Sequence, residues 1–288
     1  MIDGQAFAPR VWHLAHGRQI ELGPRSVLMG ILNMTPDSFS DGGRYGGDVS
    51  RAVEAALGLV EEGAGIIDIG GESTRPGAVP VTADEEMARI LPVIEALAKR
   101  SDCLISVDTY RSETAAAAVE RGAHIVNDVW GAQRDRAIAD VAARTGAGLC
   151  LMHTGRDRER LADVIEDQVQ FLEVSLAIAA KAGVETSRIV LDPGFGFAKN
   201  AHEDLTLMMR LGALHRFGRP LLVGTSRKRF VRGTLTHETA DSDAATAATS
   251  VLLRERGAAI FRVHQIGPSR DALALTDAAL STLREGEP

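Results

Sequence analysis

Glu62-Gly63-Ala64-Gly65-Ile66-Ile67-Asp68-Ile69 decides the fold, because the same pattern recurs along the chain. A polar, Ala-rich helical stretch ends at glycine and an apolar run follows at once. It returns as Arg121-Gly122-Ala123-His124-Ile125-Val126-Asn127, Thr145-Gly146-Ala147-Gly148-Leu149-Cys150-Leu151-Met152-His153 and Arg256-Gly257-Ala258-Ala259-Ile260-Phe261-Arg262-Val263, with a looser copy from Lys181-Ala182-Gly183. Glycine supplies the left-handed residue that stops a helix, and a cation before it suits the carbonyl end of the helix dipole. The apolar runs lack strict alternation, as parallel strands covered on both faces do.

Working outward, eight such runs are found: 27–32, 66–69, 104–107, 125–129, 149–152, 189–191, 221–223 and 259–263. Helical patterns separate them. The clearest opens with the capping-box pattern Thr82-Ala83-Asp84-Glu85 and sets Met87, Ile90, Leu91, Ile94 and Leu97 on one stripe; Asp48 and Ser112 are expected to cap two others. Eight alternating βα units predict an α/β chain, either a closed (β/α)₈ barrel or an open doubly wound sheet. Residues 1–26 precede the first of these strands and read as an added hairpin, leaving 27–288 as one domain. The length suits a single barrel, although two average domains would also fit it.

Composition narrows the function classes. The net charge of −7 argues against a nucleic-acid face, but leaves room for a small anionic substrate gripped by a few local cations. Neither a secretory leader nor an apolar run long enough to span a membrane is read, so a cytoplasmic protein is expected. Cys103 and Cys150 both sit in apolar runs and are expected to be buried free thiols. No P-loop or dinucleotide glycine pattern occurs, and the single histidines His13, His16, His202 and His215 have no metal-ligand spacing.

In parallel folds the chemistry gathers at the carboxyl ends of the strands. Here those ends carry Asn33, Asp68, Asp108, Asn127 with Asp128, His153, Asp192, Ser226-Arg227-Lys228, and Arg262 with His264. Asp108, Asn127 and Asp192 suit a flat heterocycle with donors and acceptors on its edges. Arg75, Arg262 and His264 form a second set, cationic or able to become so, that suits a phosphate or diphosphate. Three glycine-bearing loops, 35–43, 70–77 and 192–197, follow strands and read as lids.

Several of these segments together resemble one family. Met29-Gly30-Ile31-Leu32-Asn33-Met34-Thr35-Pro36-Asp37-Ser38-Phe39-Ser40-Asp41-Gly42-Gly43 and Asp68-Ile69-Gly70-Gly71-Glu72-Ser73-Thr74-Arg75-Pro76-Gly77 are similar to the two signatures of dihydropteroate synthases. Ser106-Val107-Asp108-Thr109, Asn127-Asp128-Val129, Leu191-Asp192-Pro193-Gly194-Phe195-Gly196-Phe197, Ser226-Arg227-Lys228 and Arg262-Val263-His264 follow in that family's order. The resemblance implies a TIM barrel and the condensation of a dihydropterin methyl diphosphate with 4-aminobenzoate, with Mg²⁺ and a homodimer. It implies that Thr74, Asp108, Asn127, Met152, Asp192, Phe197 and Lys228 hold the pterin. Asn33, Arg75, Arg262 and His264 would face the diphosphate, with Asn33 also on the metal. Phe39, Arg75, Pro76 and Ser226 would shape the aminobenzoate pocket, and Asp41, Asp192 and Lys228 would serve the chemistry. The chain departs from the family pattern at Met152-His153-Thr154-Gly155-Arg156-Asp157-Arg158. Two other readings compete: a corrinoid-dependent methyltransferase, and a pterin-binding paralogue without turnover.

Overall fold

The computed structural model describes residues 4–35, 46–74, 77–237 and 240–285. Asp37, Phe39, Asp41, Arg75 and Pro76 lie outside them. Eight parallel strands form one sheet: β3 (Val27–Asn33), β4 (Ile66–Gly70), β5 (Leu104–Asp108), β6 (Ile125–Asp128), β7 (Gly148–Met152), β8 (Ile189–Asp192), β9 (Leu222–Val223) and β10 (Ile260–Val263). The order is β8-β7-β6-β5-β4-β3-β10-β9, and a parallel bridge from Leu191 to Leu221 joins the two ends, so the sheet closes into the (β/α)₈ barrel. The hairpin is there as well: β1 (Arg10–His13) pairs antiparallel with β2 (Gln19–Leu22).

Side chains alternate across each strand, so residues two apart share a face. Ile67, Ile69, Ile105, Val107, Val126, Leu149, Leu151 and Leu191 face outward into the large core shared with the helices. Met29, Ile66, Leu104, Ile125, Cys150, Val190, Leu222 and Ile260 face inward and form a separate apolar layer. Trp12, Leu14 and Leu22 of the hairpin segment belong to that layer and seal the barrel floor. Trp12 is 1% exposed, and its indole N–H donates to the Arg188 carbonyl at 2.8 Å. Gly148 leaves room for this plug, since a Cβ there would lie 2.5 Å from Leu14 and 3.0 Å from Trp12.

Two residues further along six of these strands, the inward positions become Asp68, Ser106, Asn127, Met152, Asp192 and Arg262. The apolar floor therefore carries a polar layer at the carboxyl end, where the loops begin. Helix Ala83–Arg100 buries Ile90, Val93, Ile94 and Leu97, and Thr82 caps it by accepting the Glu85 N–H at 3.2 Å. Other local expectations need correction. Asp48 lies inside helix Gly46–Glu61 and so does not begin it, and Ser112 is the first residue of its own helix, whose N-cap Arg111 makes no side-chain cap. Cys150 is buried, but Cys103 is only partly so; both are free.

Candidate functional site

The centre of the polar layer is a cross-barrel ion cluster. Arg262, on β10, donates through Nε to Asp68 Oδ2 at 2.6 Å and through Nη2 to Asp108 Oδ2 at 2.7 Å. Asn127 Nδ2 donates to the same Asp68 oxygen at 3.1 Å. Burial opposes Arg262's charge, but Asp68 and Asp108 more than offset it and hold the guanidinium above its usual range. Burial pushes Asp108 up to about 7 against the pull of Arg262. Asp68 Oδ1, Asn127 Oδ1 and Ser106 Oγ are buried with no hydrogen-bond partner among the described residues. Buried acceptors of this kind cost stability until something donates to them.

Asp192, at the end of β8, accepts the Gly194 N–H through Oδ1 at 2.7 Å. Burial raises it to about 6, with Lys228 and Arg262 pulling the other way. Lys228 is lowered to about 8, by burial first and then by Arg262. Its ammonium lies 4.4 Å from the centre of the Phe197 ring, a cation–π contact. Phe197 packs with Val129 and Met152 as a small apolar shelf. Carboxylate, ammonium and shelf thus border one another.

His264 lies two residues past Arg262, and its Nδ1 is 2.9 Å from Ser226 Oγ, which also accepts the His264 backbone N–H at 3.2 Å. Burial first, then Arg262, lowers His264 to about 4. Without a bound anion, burial and Arg262 thus disfavour the charged form of this imidazole. Arg227 turns away from the mouth. Its left-handed backbone (φ 58) is held by a two-point pairing with Asp243, at 3.1 and 3.0 Å. Asp128 is also a local device, accepting the Trp130 and Ala132 N–H groups at 2.8 and 2.6 Å.

Asn33 ends β3 and is partly exposed, and its side-chain amide makes no hydrogen bond among the described residues. The stem of the loop after β4 is anchored by Glu72, which pairs with Arg111 at 2.7 Å and accepts from the Tyr110 hydroxyl at 3.2 Å. Thr74, in that loop, accepts at its carbonyl from Arg156 Nη2 at 2.7 Å. Arg156 also lies over Phe197, 4.5 Å from the ring centre. The departing fifth loop therefore ties the second loop to the sixth. His153 was grouped with the mouth residues, but it is fully buried and turned toward Asp167, 2.9 Å away on helix Val164–Lys181.

A family model described as "Pterin binding enzyme" matches residues 29–264. The chain is 44% identical to the dihydropteroate synthase of Bacillus subtilis over 257 residues, covering 89% of this chain and 90% of the relative. It is 40% identical to that of Clostridium beijerinckii over 261 residues, 90% and 96% of the two chains. Among solved structures, a Clostridium difficile dihydropteroate synthase in the presence of pteroic acid superposes with a TM-score of 0.87 at 41% identity, covering 90% of this chain and 98% of that one. The Xanthomonas albilineans enzyme with 4-aminobenzoic acid gives 0.86 at 38% identity, covering 96% and 100%. A barrel whose polar layer bears the family's motifs in register, and relatives of this identity along most of its length, assign the chain to the dihydropteroate synthases, transferases of folate biosynthesis.

Proposed function

We propose that this mouth condenses (7,8-dihydropterin-6-yl)methyl diphosphate with 4-aminobenzoate, releasing diphosphate and 7,8-dihydropteroate. The observation that carries the proposal is the set of uncommitted acceptors beside a cation. Among the described residues, Asn127 Oδ1 is buried without a donor and Asp192 accepts only at Oδ1, from the Gly194 N–H. A pterin edge presents N–H donors to such acceptors and carbonyl and ring-nitrogen acceptors to Lys228. Asp108, Asn127, Asp192 and Lys228 then hold the ring, and Met152 and Phe197 pack against it. Thr74 lies beside the methylene.

Arg262, His264, Asn33 and Arg75 take the diphosphate. Arg262 uses Nε–H and one Nη2 hydrogen on Asp68 and Asp108, so Nη1 and the second Nη2 hydrogen are left to donate. With Ser226 donating to Nδ1, neutral His264 offers its Nε2–H. Asn33 would hold Mg²⁺; one unbonded amide at a strand end fits an ion that arrives with the diphosphate. When bound, Mg²⁺ supplies positive charge to the leaving oxygens. As the C–O bond breaks, Asp108 and Asp192, with Asp41, offset positive charge growing on the pterin methylene. The arylamine of 4-aminobenzoate, seated by Phe39, Arg75, Pro76 and Ser226, attacks that carbon as a neutral nucleophile, so no strong base is required. We further propose a cytoplasmic homodimer; among the described residues no helix is long and apolar enough to cross a membrane.

The test is diphosphate release that depends on both substrates and is competed by sulfonamides resembling 4-aminobenzoate. Pterin binding without release would leave a silent paralogue, and methyl transfer to a corrinoid would replace the proposal altogether.

A further inference from the structure

Behind the loop that carries Asp192 and Phe197 runs a largely buried polar chain that the roles above leave unused. Lys199 closes that loop and is 9% exposed. Its ammonium donates to the Gly194 carbonyl at 2.8 Å, to the Phe197 carbonyl at 3.5 Å and to His153 Nδ1 at 2.9 Å. His153 Nδ1 accepts from the ammonium, and its Nε2 lies 2.9 Å from both Asp167 Oδ2 and Arg158 Nη2. Arg158 completes the chain by donating to both Asp167 oxygens, at 2.9 and 2.5 Å.

The three contacts use all three ammonium hydrogens, and among the described residues no carboxylate bonds Lys199 directly. Asp204, Asp192 and Asp167 act on it at longer range, and burial draws it down to about 7. A desolvated cation of this kind is costly, and a fold that keeps one needs its particular donors there. The carbonyls it gathers bracket a tightly wound loop. Gly194, Gly196 and Ala198 all have left-handed backbones (φ 65, 75 and 53), and a Cβ on Gly194 would fall 1.9 Å from the His153 carbonyl oxygen. The same winding brings the Gly194 N–H to Asp192 and sets the Phe197 ring against Lys228.

We propose that Lys199 is a positioning residue for the pterin subsite, with its ammonium, oriented by the His153–Asp167–Arg158 chain, clamping the Gly194 and Phe197 carbonyls so that Asp192 and Phe197 face the heterocycle. The inference rests on the pterin reading above, and binding measurements keep the two separable. In Lys199→Met the dissociation constant for 6-hydroxymethylpterin rises at least tenfold, while that for inorganic pyrophosphate stays within twofold. In turnover the KM for the pterin diphosphate rises and that for 4-aminobenzoate does not. An unchanged pterin affinity, or a parallel loss for both ligands, overturns the proposal. If Lys199→Met does not fold, Arg158→Gln at the partly exposed end of the chain decides it: a selective loss of pterin affinity of about threefold or more supports the clamp, and no selective loss refutes it. Wild-type protein that binds neither the pterin nor pyrophosphate would instead remove the underlying reading.

Discussion

Replacing Asp108 by Asn separates what this carboxylate does for substrate from what it costs the fold. Its acid, ordinarily near 3.9, is held at about 7 mainly by burial. One pH unit corresponds to about 1.4 kcal/mol, which sets a ceiling of ~4 kcal/mol on the cost of ionising it in the folded state. A raised acid means that the folded chain binds more protons than the unfolded chain between about pH 4 and 7. Stability is therefore full below that window and falls as pH climbs through it. Asn keeps the shape and an acceptor for Arg262, which retains Asp68 at 2.6 Å. Because Asp108 and Arg262 share their charge, a fraction of the ceiling is expected: Asp108→Asn should be more stable than wild type by about 1–3 kcal/mol at pH 8 and nearly equal to it at pH 4. Its kcat/KM for the pterin diphosphate should nevertheless fall at least tenfold, a trade of activity for stability. Urea denaturation at the two pH values, with steady-state kinetics, makes the comparison. A variant less stable than wild type at pH 8, or one of undiminished activity, would refute the reasoning.

Other consequences follow from the same geometry. Arg262→Met leaves Asp68 and Asp108 facing each other without a cation and should lower stability by about 3–5 kcal/mol, most severely above pH 7, as urea melts would register. Trp12→Ala opens the barrel floor and should cost roughly 3–5 kcal/mol, with the KM values of the folded protein unaltered. The pH profile of kcat/KM for the pterin substrate should be a bell, rising as Asp192 and then Asp108 ionise, near 6 and 7, and falling as Lys228 deprotonates near 8. Lys228→Arg should move the falling limb upward even if it lowers the plateau. Arg156→Ala, which releases Thr74 from Phe197, should reduce kcat/KM by about three- to tenfold with little change in Tm, since the side chain is partly exposed.

The strands were legible because each is announced by a helix-ending glycine and an apolar run. Asp68, Asp108, Asn127, Asp192 and Arg262 could be placed at the mouth because strand ends follow from that punctuation. Their pairing could not be read in the same way. Arg262 meets Asp68 and Asp108 from 194 and 154 residues away, and such contacts depend on barrel closure and on which inward positions share a layer. His153 illustrates the limit of strand-end reasoning: it follows Met152 directly, yet one step along a strand reverses the face, and it joins Asp167 and Lys199 behind the pocket. Glu86 was hidden inside an otherwise apolar stripe, where Arg111 and Thr114 both donate to its Oε2, at 3.0 and 2.9 Å. A hint was present at Arg156 and Arg158, where the chain leaves the family pattern, but motif departure gives no direction for a side chain.

A crystal structure of the protein with 6-hydroxymethylpterin, pyrophosphate and Mg²⁺ bound together addresses the central claim most directly. The heterocycle should bond Asp108, Asn127, Asp192 and Lys228, with the pyrophosphate on the Arg262, His264 and Asn33 side of the same mouth. A pterin ring bound away from Asp192 and Lys228, or a pyrophosphate on the opposite side of the ring from Arg262, would contradict the account.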